Sequence, residues 1–292
     1  MRLAEIHRYP VKSMQGERLM STAVEPLGIP GDRAWALRDE RVGGLTGAKK
    51  LPALMSMRAR LAAEPAGDVR SPEVHIFPGD GAPLSSAAGD VDTALSRVLD
   101  HPVTLWPLLD AAQVEHYRRE APPEGMDEVE ALRALFGRTA DEPLPDLSRF
   151  PEVLATHHTP PGTYFDAYPL LIMTRSSLRA IAEGAAALGF DSSFDQRRFR
   201  PNLVIDTVEP GFVENGWVGR RLAIGDAELV VEMTCPRCIM TTHGLDDVPR
   251  DPKVMRALVQ VNDGDLGVYA SIARPGRIRA GDAVTLLQEL AG

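Results

Sequence analysis

The chain is short of cysteine, of aromatic residues and of positive charge. Its 292 residues hold two cysteines, 5% aromatics, and 32 Lys and Arg against 41 Asp and Glu. Two thiols in a chain this long cannot staple a fold, so a disulfide scaffold is excluded and a reducing compartment is expected. A net charge of -9 argues against a nucleic-acid or anionic-membrane partner, which would need a basic face; a local basic pocket stays open. No window approaches ~18 uninterrupted apolar residues, so no membrane-spanning helix is expected. Residues 1–9 place charges where a secretory signal has its apolar segment. These absences together predict a cytoplasmic protein.

What is present describes a globular chain. It is 44% hydrophobic and 25% charged, long enough for one large domain or two ordinary ones with a substantial core. The 24 prolines and 25 glycines punctuate it into short elements with many turns. Apolar and polar residues alternate over 3–9, and Pro10 ends that strand. Strand-like runs at 19–25, 33–39, 55–62 and 74–77 are separated by the turn-rich stretches 11–16, 27–32, 46–50 and 78–81, a spacing that predicts a barrel or sandwich. Helical spacing appears over 90–99, and 103–106 reads as a strand. Composition shifts over 110–161, where acidic and proline-rich pieces surround one helical run at 128–136. This stretch reads as an irregular connection holding the domain boundary.

Order returns after Asp166. Residues 169–174 read as a buried strand, followed by a helix capped by Ser176 or Ser177 and running to Leu188. Further strands are expected at 203–206, 217–224 and 228–232, with a tight turn at Gly225-Asp226. A helix over 254–261 and strands at 266–272 and 278–287 complete the chain. The fold class is mostly β with some α (α+β): a barrel-like body over 1–110, a connection over 111–162 and a second domain over 163–292.

The chemistry converges on residues 227–242, where Cys235 and Cys238 stand three apart in Cys-Pro-Arg-Cys. With His243 they have the spacing that opens a zinc knuckle, but a structural zinc site needs four ligands and the fourth falls on Val248. A dithiol redox motif would open a helix, and Ile239-Met240-Thr241-Thr242 is poor material for one. Two readings remain: a single thiolate binding a soft or highly oxidised metal, with Arg237 favouring the thiolate by charge, or two cysteines packed as small hydrophobes. Spacing does not separate them. Elsewhere Lys12 reads as a solvated lysine, Arg197 to Arg200 as a basic face with Arg198 and Arg200 on one side, Asn202 as a turn residue, Asp166 as loop or cap, and His157-His158 as surface.

Three stretches together resemble the MOSC family, in the branch that has an N-terminal β-barrel domain and includes the mitochondrial amidoxime-reducing component. They are Tyr9-Pro10-Val11-Lys12-Ser13 with Gly31-Asp32-Arg33; Arg198-Phe199-Arg200-Pro201-Asn202-Leu203-Val204-Ile205; and Cys235-Pro236-Arg237-Cys238 with Thr241-Thr242, Gly267-Val268-Tyr269 and 276–282. The resemblance covers most of the chain and least of 110–160. It implies a MOSC β-barrel for the C-terminal domain and a molybdenum cofactor (Mo-molybdopterin), with Cys238 as metal ligand and catalytic centre and Cys235 dispensable. It implies that Lys12, Ser13, Arg33, Arg200 and Asn202 hold the pterin phosphate, arginine suiting phosphate by its planar fork. Arg237 would donate to the pterin or a metal oxo group. Eukaryotic relatives carry Thr-Ser after the aspartate matching Asp166, where this chain has Ala167-Tyr168, so those contacts are expected to be missing or replaced, by the Tyr168 hydroxyl or a backbone amide. A pyridoxal phosphate association also travels with the family.

The function implied is reduction of N-hydroxylated substrates such as amidoximes and hydroxylamines. A separate electron donor carrying flavin or iron–sulfur is expected, because no four-cysteine ferredoxin-like segment is present. The alternative is a carrier of the cofactor or of sulfur, since MOSC domains also occur fused to a molybdenum cofactor sulfurase. Such a carrier would need a partner to supply the pyridoxal lysine.

Overall fold

The computed structural model describes residues 1–67, 69–79, 81–120 and 125–287. The N-terminal part supplies strands β1 (Arg2–Arg8), β2 (Glu17–Leu19), β3 (Ser21–Val24), β4 (Trp35–Asp39), β5 (Gly44–Thr46), β6 (Met57–Leu61), β7 (Val74–Pro78), β8 (Leu84–Ser85) and β9 (Val103–Pro107), with helix α1 (Val91–Leu99) before the last. The connection holds α2 (Val114–Tyr117) and α3 (Glu128–Phe136). Then follow β10 (Leu170–Thr174), α4 (Arg175–Ala187), β11 (Leu203–Asp206), β12 (Arg221–Ile224), β13 (Ala227–Pro236), α5 (Lys253–Asn262), β14 (Asp265–Arg274), β15 (Gly276–Arg279) and β16 (Val284–Leu286). The architecture is α+β.

The main sheet runs in the order β16-β12-β13-β14-β10-β11-β1-β2. Its far members meet. Arg2 bridges Ala283, Leu3 N donates to Asp282 O at 2.9 Å, and Val284 N donates to Met1 O at 3.0 Å. The strands from β1 round to β16 therefore form a hydrogen-bonded circuit, and β3 pairs with β15 outside it. Strands β1 and β2 are thus built into the sheet of the C-terminal half, and β3 pairs with its strand β15. Period-two alternation fills the circuit: Leu170 and Ile172, Leu203 and Ile205, Leu222 and Ile224, Leu229 and Val231, and Val268 and Ala270 share one core. Strand β10 is buried along its whole length because its other face also packs, with Met173 joining Ile181 of α4 and Met255 and Leu258 of α5. A second core lies in the N-terminal body, between the sheets β5-β4-β9 and β6-β7-β8, with α1 packed against it.

Several elements depart from their expected form. The strand expected at 217–224 is a 3-10 turn, Val213–Trp217, then β12 alone; Gly219 at φ 81° breaks the extended run. The run at 33–39 starts only at Trp35, since Arg33 has φ 48°. Pro52 opens a 3-10 turn over Pro52–Ser56, so β6 begins at Met57. Helix α4 is capped by Thr174, whose side chain accepts from Ser177 N; the hydroxyls of Ser176 and Ser177 turn instead to Gly211 O and Glu214. His157 and His158 are half-buried, not surface, and His158 Nε2 pairs with Glu120 Oε2 at 2.8 Å. The turn expected at 78–81 includes Asp80, which lies outside the described residues.

Candidate functional site

Strand β13 carries the cysteine motif to the end of the circuit. Pro236 closes the strand, and Cys238 (φ -111°, ψ 177°) leads into a 3-10 turn over Ile239–Thr242. No α-helix follows, so the geometry is not that of a dithiol motif. Cys235 is 2% exposed, while the Cys238 thiol is half-buried at a cleft. Arg237 N donates to Gly264 O at 2.8 Å, fixing the loop against the end of α5.

The cleft encloses about 540 Å³ of free space, counting its open mouth. Cys235, Arg237 and Cys238 form one wall, Phe199, Arg200 and Asn202 a second, and Asp166, Tyr168 and Tyr269 a third, with Arg33 beside them. Arg33, Arg200 and Tyr9 form a unit. Both guanidinium groups lie over the Tyr9 ring, at 5.2 and 4.3 Å from its centre, and Tyr9 Oη donates to Pro201 O at 3.0 Å. Arg200 holds a left-handed backbone (φ 55°), a conformation costly for a side chain of this size. Its Nη1 is buried and has no partner. Burial, reinforced by Arg33, pulls its guanidinium down to about 10, so it remains a cation at neutral pH.

Arg237 is more fully engaged. Nη1 donates to Cys235 Sγ at 3.0 Å and Nη2 to Phe199 O at 2.6 Å, while Nε is buried without a partner. Burial pushes the Cys235 thiol up against the pull of Arg237. Cys235 is therefore the structural acceptor for Arg237, and Cys238 is the thiol presented to the cleft.

The other expected contacts are redistributed. Asn202 is fully buried and spent on the scaffold: Oδ1 accepts from Leu171 N and Arg33 Nη1, both at 3.2 Å, and Nδ2 donates to His7 O at 3.2 Å. It ties β1, β10 and Arg33 together, so its carbonyl and one of its two amide N–H groups are committed to the scaffold. Lys12 lies behind the cleft wall, donating to Tyr164 O at 2.9 Å and to Asp166 Oδ1 at 2.7 Å. Partial desolvation raises the half-exposed Asp166 carboxyl, but Lys12, then Lys49 and Arg33, outweigh it and hold it well below the usual carboxylate range. Ser13 is buried at φ 72° and sits against Gly47 rather than on the cleft wall. Arg198 and Arg200 both line the cleft, though residues 196–198 form a 3-10 turn and not a strand. Arg198 donates to the carbonyls of Thr241, His243 and Pro249, organising the loop after Cys238. Arg197 pairs outward with Asp195 and Asp247.

One cleft residue had no role from sequence reasoning. Tyr269 lies on β14 opposite Met233, with its ring 6.0 Å from that of Tyr168. The sequence offered it only within the motif Gly267-Val268-Tyr269, without a role, and the register of β13 on β14 brings it to the cleft. The donor set fits an anionic group held through one thiol: a half-buried sulfur, two buried cations and two orphaned N–H groups. It does not fit an all-protein metal centre, since among the described residues no three His, Cys, Asp or Glu side chains gather to hold an ion.

The model of the MOSC domain matches residues 156–285, and that of the MOSC N-terminal beta barrel domain matches residues 1–96. Mitochondrial amidoxime reducing component 2 of Homo sapiens and of Macaca fascicularis are each 31% identical over 161 residues, covering 51% of this chain and 43% of their own. Molybdenum cofactor sulfurase of Drosophila grimshawi is 26% identical and covers 98% of this chain but 34% of its own. The chain thus spans less than half the length of these curated relatives. Among solved structures, the YUAD protein of Bacillus subtilis covers 97% of this chain and 93% of its own at 13% identity and a TM-score of 0.43. The two matched models lie in series along the sequence, and the chain belongs to the MOSC-domain proteins that carry the MOSC N-terminal beta barrel domain.

Proposed function

We propose that the cleft binds a molybdenum cofactor through Cys238 and that the protein reduces N-hydroxylated compounds, with electrons from a separate flavin or iron–sulfur donor. One observation carries this reading: a half-buried thiol faces a cleft in which Arg200 Nη1 and Arg237 Nε are buried donors without acceptors. Buried donors left unpaired cost about 1–3 kcal/mol each, and an anionic ligand would satisfy both. The cofactor, when bound, supplies two-electron oxygen-transfer chemistry.

The chain's own residues supply the rest. Cys238 would be the protein ligand. Arg200 and Arg237 would receive the anionic parts of the cofactor, and Arg33 would steady Arg200 through Tyr9. Asp166 is held ionised by Lys12, so at neutral pH it is a hydrogen-bond acceptor and neither an acid nor an effective base. Burial raises the Tyr168 and Tyr269 hydroxyls, so both keep their protons and offer O–H donors to a substrate. Reduction of a hydroxylamine to an amine consumes two electrons and two protons and releases water. Metal analysis of protein from a host that makes the cofactor, with turnover of benzamidoxime under a chemical reductant, tests the proposal. Protein without molybdenum, or loaded protein without turnover, would overturn the reductase reading.

The second reading is a carrier of the cofactor or of sulfur. Its support is the sulfurase relative, whose match extends over 98% of this chain. A carrier binds molybdenum without catalytic turnover, so the same assay separates the two.

A further inference from the structure

The cleft does not exhaust the positive charge around Cys238. Arg138, in the connection after α3, is 6% exposed. Its Nε and Nη2 are buried without hydrogen-bond partners among the described residues, and its Nη1 reaches the Met255 sulfur at 3.2 Å. Among the described residues no carboxylate pairs with it. The two acids that act on it, Glu142 and Asp265, are taken: Glu142 by Arg256, and Asp265 by Arg149 at 3.3 Å and by Thr234. Three arginines thus face two carboxylates, and the surplus charge falls on Arg138.

Its seat lies directly behind the cysteine motif. A Cβ on the preceding Gly137 would come within 2.9 Å of the Ile239 side chain, the residue after Cys238. A Cβ on Gly264 would collide with the Arg138 guanidinium, so only glycine leaves room for it there. Gly264 is also the residue whose carbonyl receives Arg237 N. Arg138 and Arg237 therefore flank one backbone point beside Cys238. Arg138 belongs to neither matched family region, 1–96 or 156–285.

An uncompensated buried cation is expensive. We infer that Arg138 is a positioning residue whose unpaired charge favours negative charge on the centre held by Cys238. The inference rests on the cofactor reading above. It assigns a functional part to the connection, as an electrostatic wall behind the metal ligand.

The test uses the molybdenum-loaded protein and two variants. Arg138→Met removes the charge at similar volume. Met255→Glu leaves Arg138 in place and sets a carboxylate beside Nη1. Molybdenum content, the midpoint potential of the metal followed by electron paramagnetic resonance, and thermal stability are read for each. Both variants should lower the potential, because less positive charge favours the oxidised form, and both should retain molybdenum about tenfold less well. Arg138→Lys should restore potential and content. A purely structural arginine predicts lower stability for Arg138→Met and no change of potential in Met255→Glu. Should Arg138→Met fail to fold, Met255→Glu alone decides. Wild-type protein without molybdenum removes the cofactor reading and this inference with it. Loaded proteins sharing one potential overturn the inference alone.

Discussion

Arg237 Nη1 donates to Cys235 Sγ at 3.0 Å, which divides two thiols of one motif into a scaffold member and a site member. Cys238→Ala should abolish molybdenum content and turnover with little change in stability, because the side chain is half-buried and carries no scaffold bond. Cys235→Ala should keep turnover but cost about 2 kcal/mol, since it empties a buried position and leaves Arg237 Nη1 only its long bond to Leu266 O. Urea denaturation and metal analysis of both variants check this; equal loss of turnover in both would restore the symmetric dithiol reading.

Arg200 should show opposite effects on binding and folding. Its cation is buried with one N–H unpaired, a cost only partly offset by the Tyr9 ring, whose attraction for a desolvated cation is worth about 2 kcal/mol. Arg200→Gln should lower cofactor retention about tenfold while reducing the stability of the cofactor-free protein by less than about 1 kcal/mol. Retention of pterin through gel filtration, set beside thermal midpoints, gives the two readings.

Asn202→Ala should behave in the reverse sense. Three scaffold bonds disappear and Leu171 N loses an acceptor, so a loss of about 3 kcal/mol is expected. Any fall in cofactor retention should follow the fraction unfolded. Cofactor loss at full foldedness, read by circular dichroism beside metal content, would return Asn202 to the list of direct ligands.

Glu5 gives a pH signature. Burial raises its carboxyl, but Arg175, His7 and Gln196 outweigh it and bring it down to about 2 from 4.5. A depressed carboxylate contributes stability above its ordinary value and loses it as pH falls through the folded value. Glu5→Gln should therefore cost up to roughly 3 kcal/mol at neutral pH. Wild type and variant should converge between pH 4.5 and 2 in urea titrations across that range.

The parts of the fold legible in the sequence were those written in local periodicity. Strand β10, helix α5 and the 128–136 helix stand close to where their patterns place them, because each buries a face whose spacing matches its element. Less legible were features decided by distant partners. Nothing near Asn202 tells that its amide meets β1 and β10, nor near Thr174 that it, rather than Ser176, caps α4 while Gly211 O takes Ser176 and Glu214 takes Ser177. In the site, Cys238, Arg33, Arg200 and Arg237 carry their motifs on short segments and were placed in the cleft. Lys12 shared a motif yet stands behind Asp166, since loop direction depends on neighbours far along the chain. Arg138 had no motif, and only the packing of the connection on α5 brings it to the cysteine.

The bridge between Arg2 and Ala283 has a consequence for timing. During synthesis, β1 leaves the ribosome some two hundred residues before β11, and longer still before its neighbour across the closing seam. Such non-local pairing is slow to form. Tyr9 and Arg33 wait with β1, so the cleft gains its shape only after β14 and the last strands have docked. Under the proposed function the cofactor would enter only after these strands are in place, and protein interrupted before residue 283 should carry no metal.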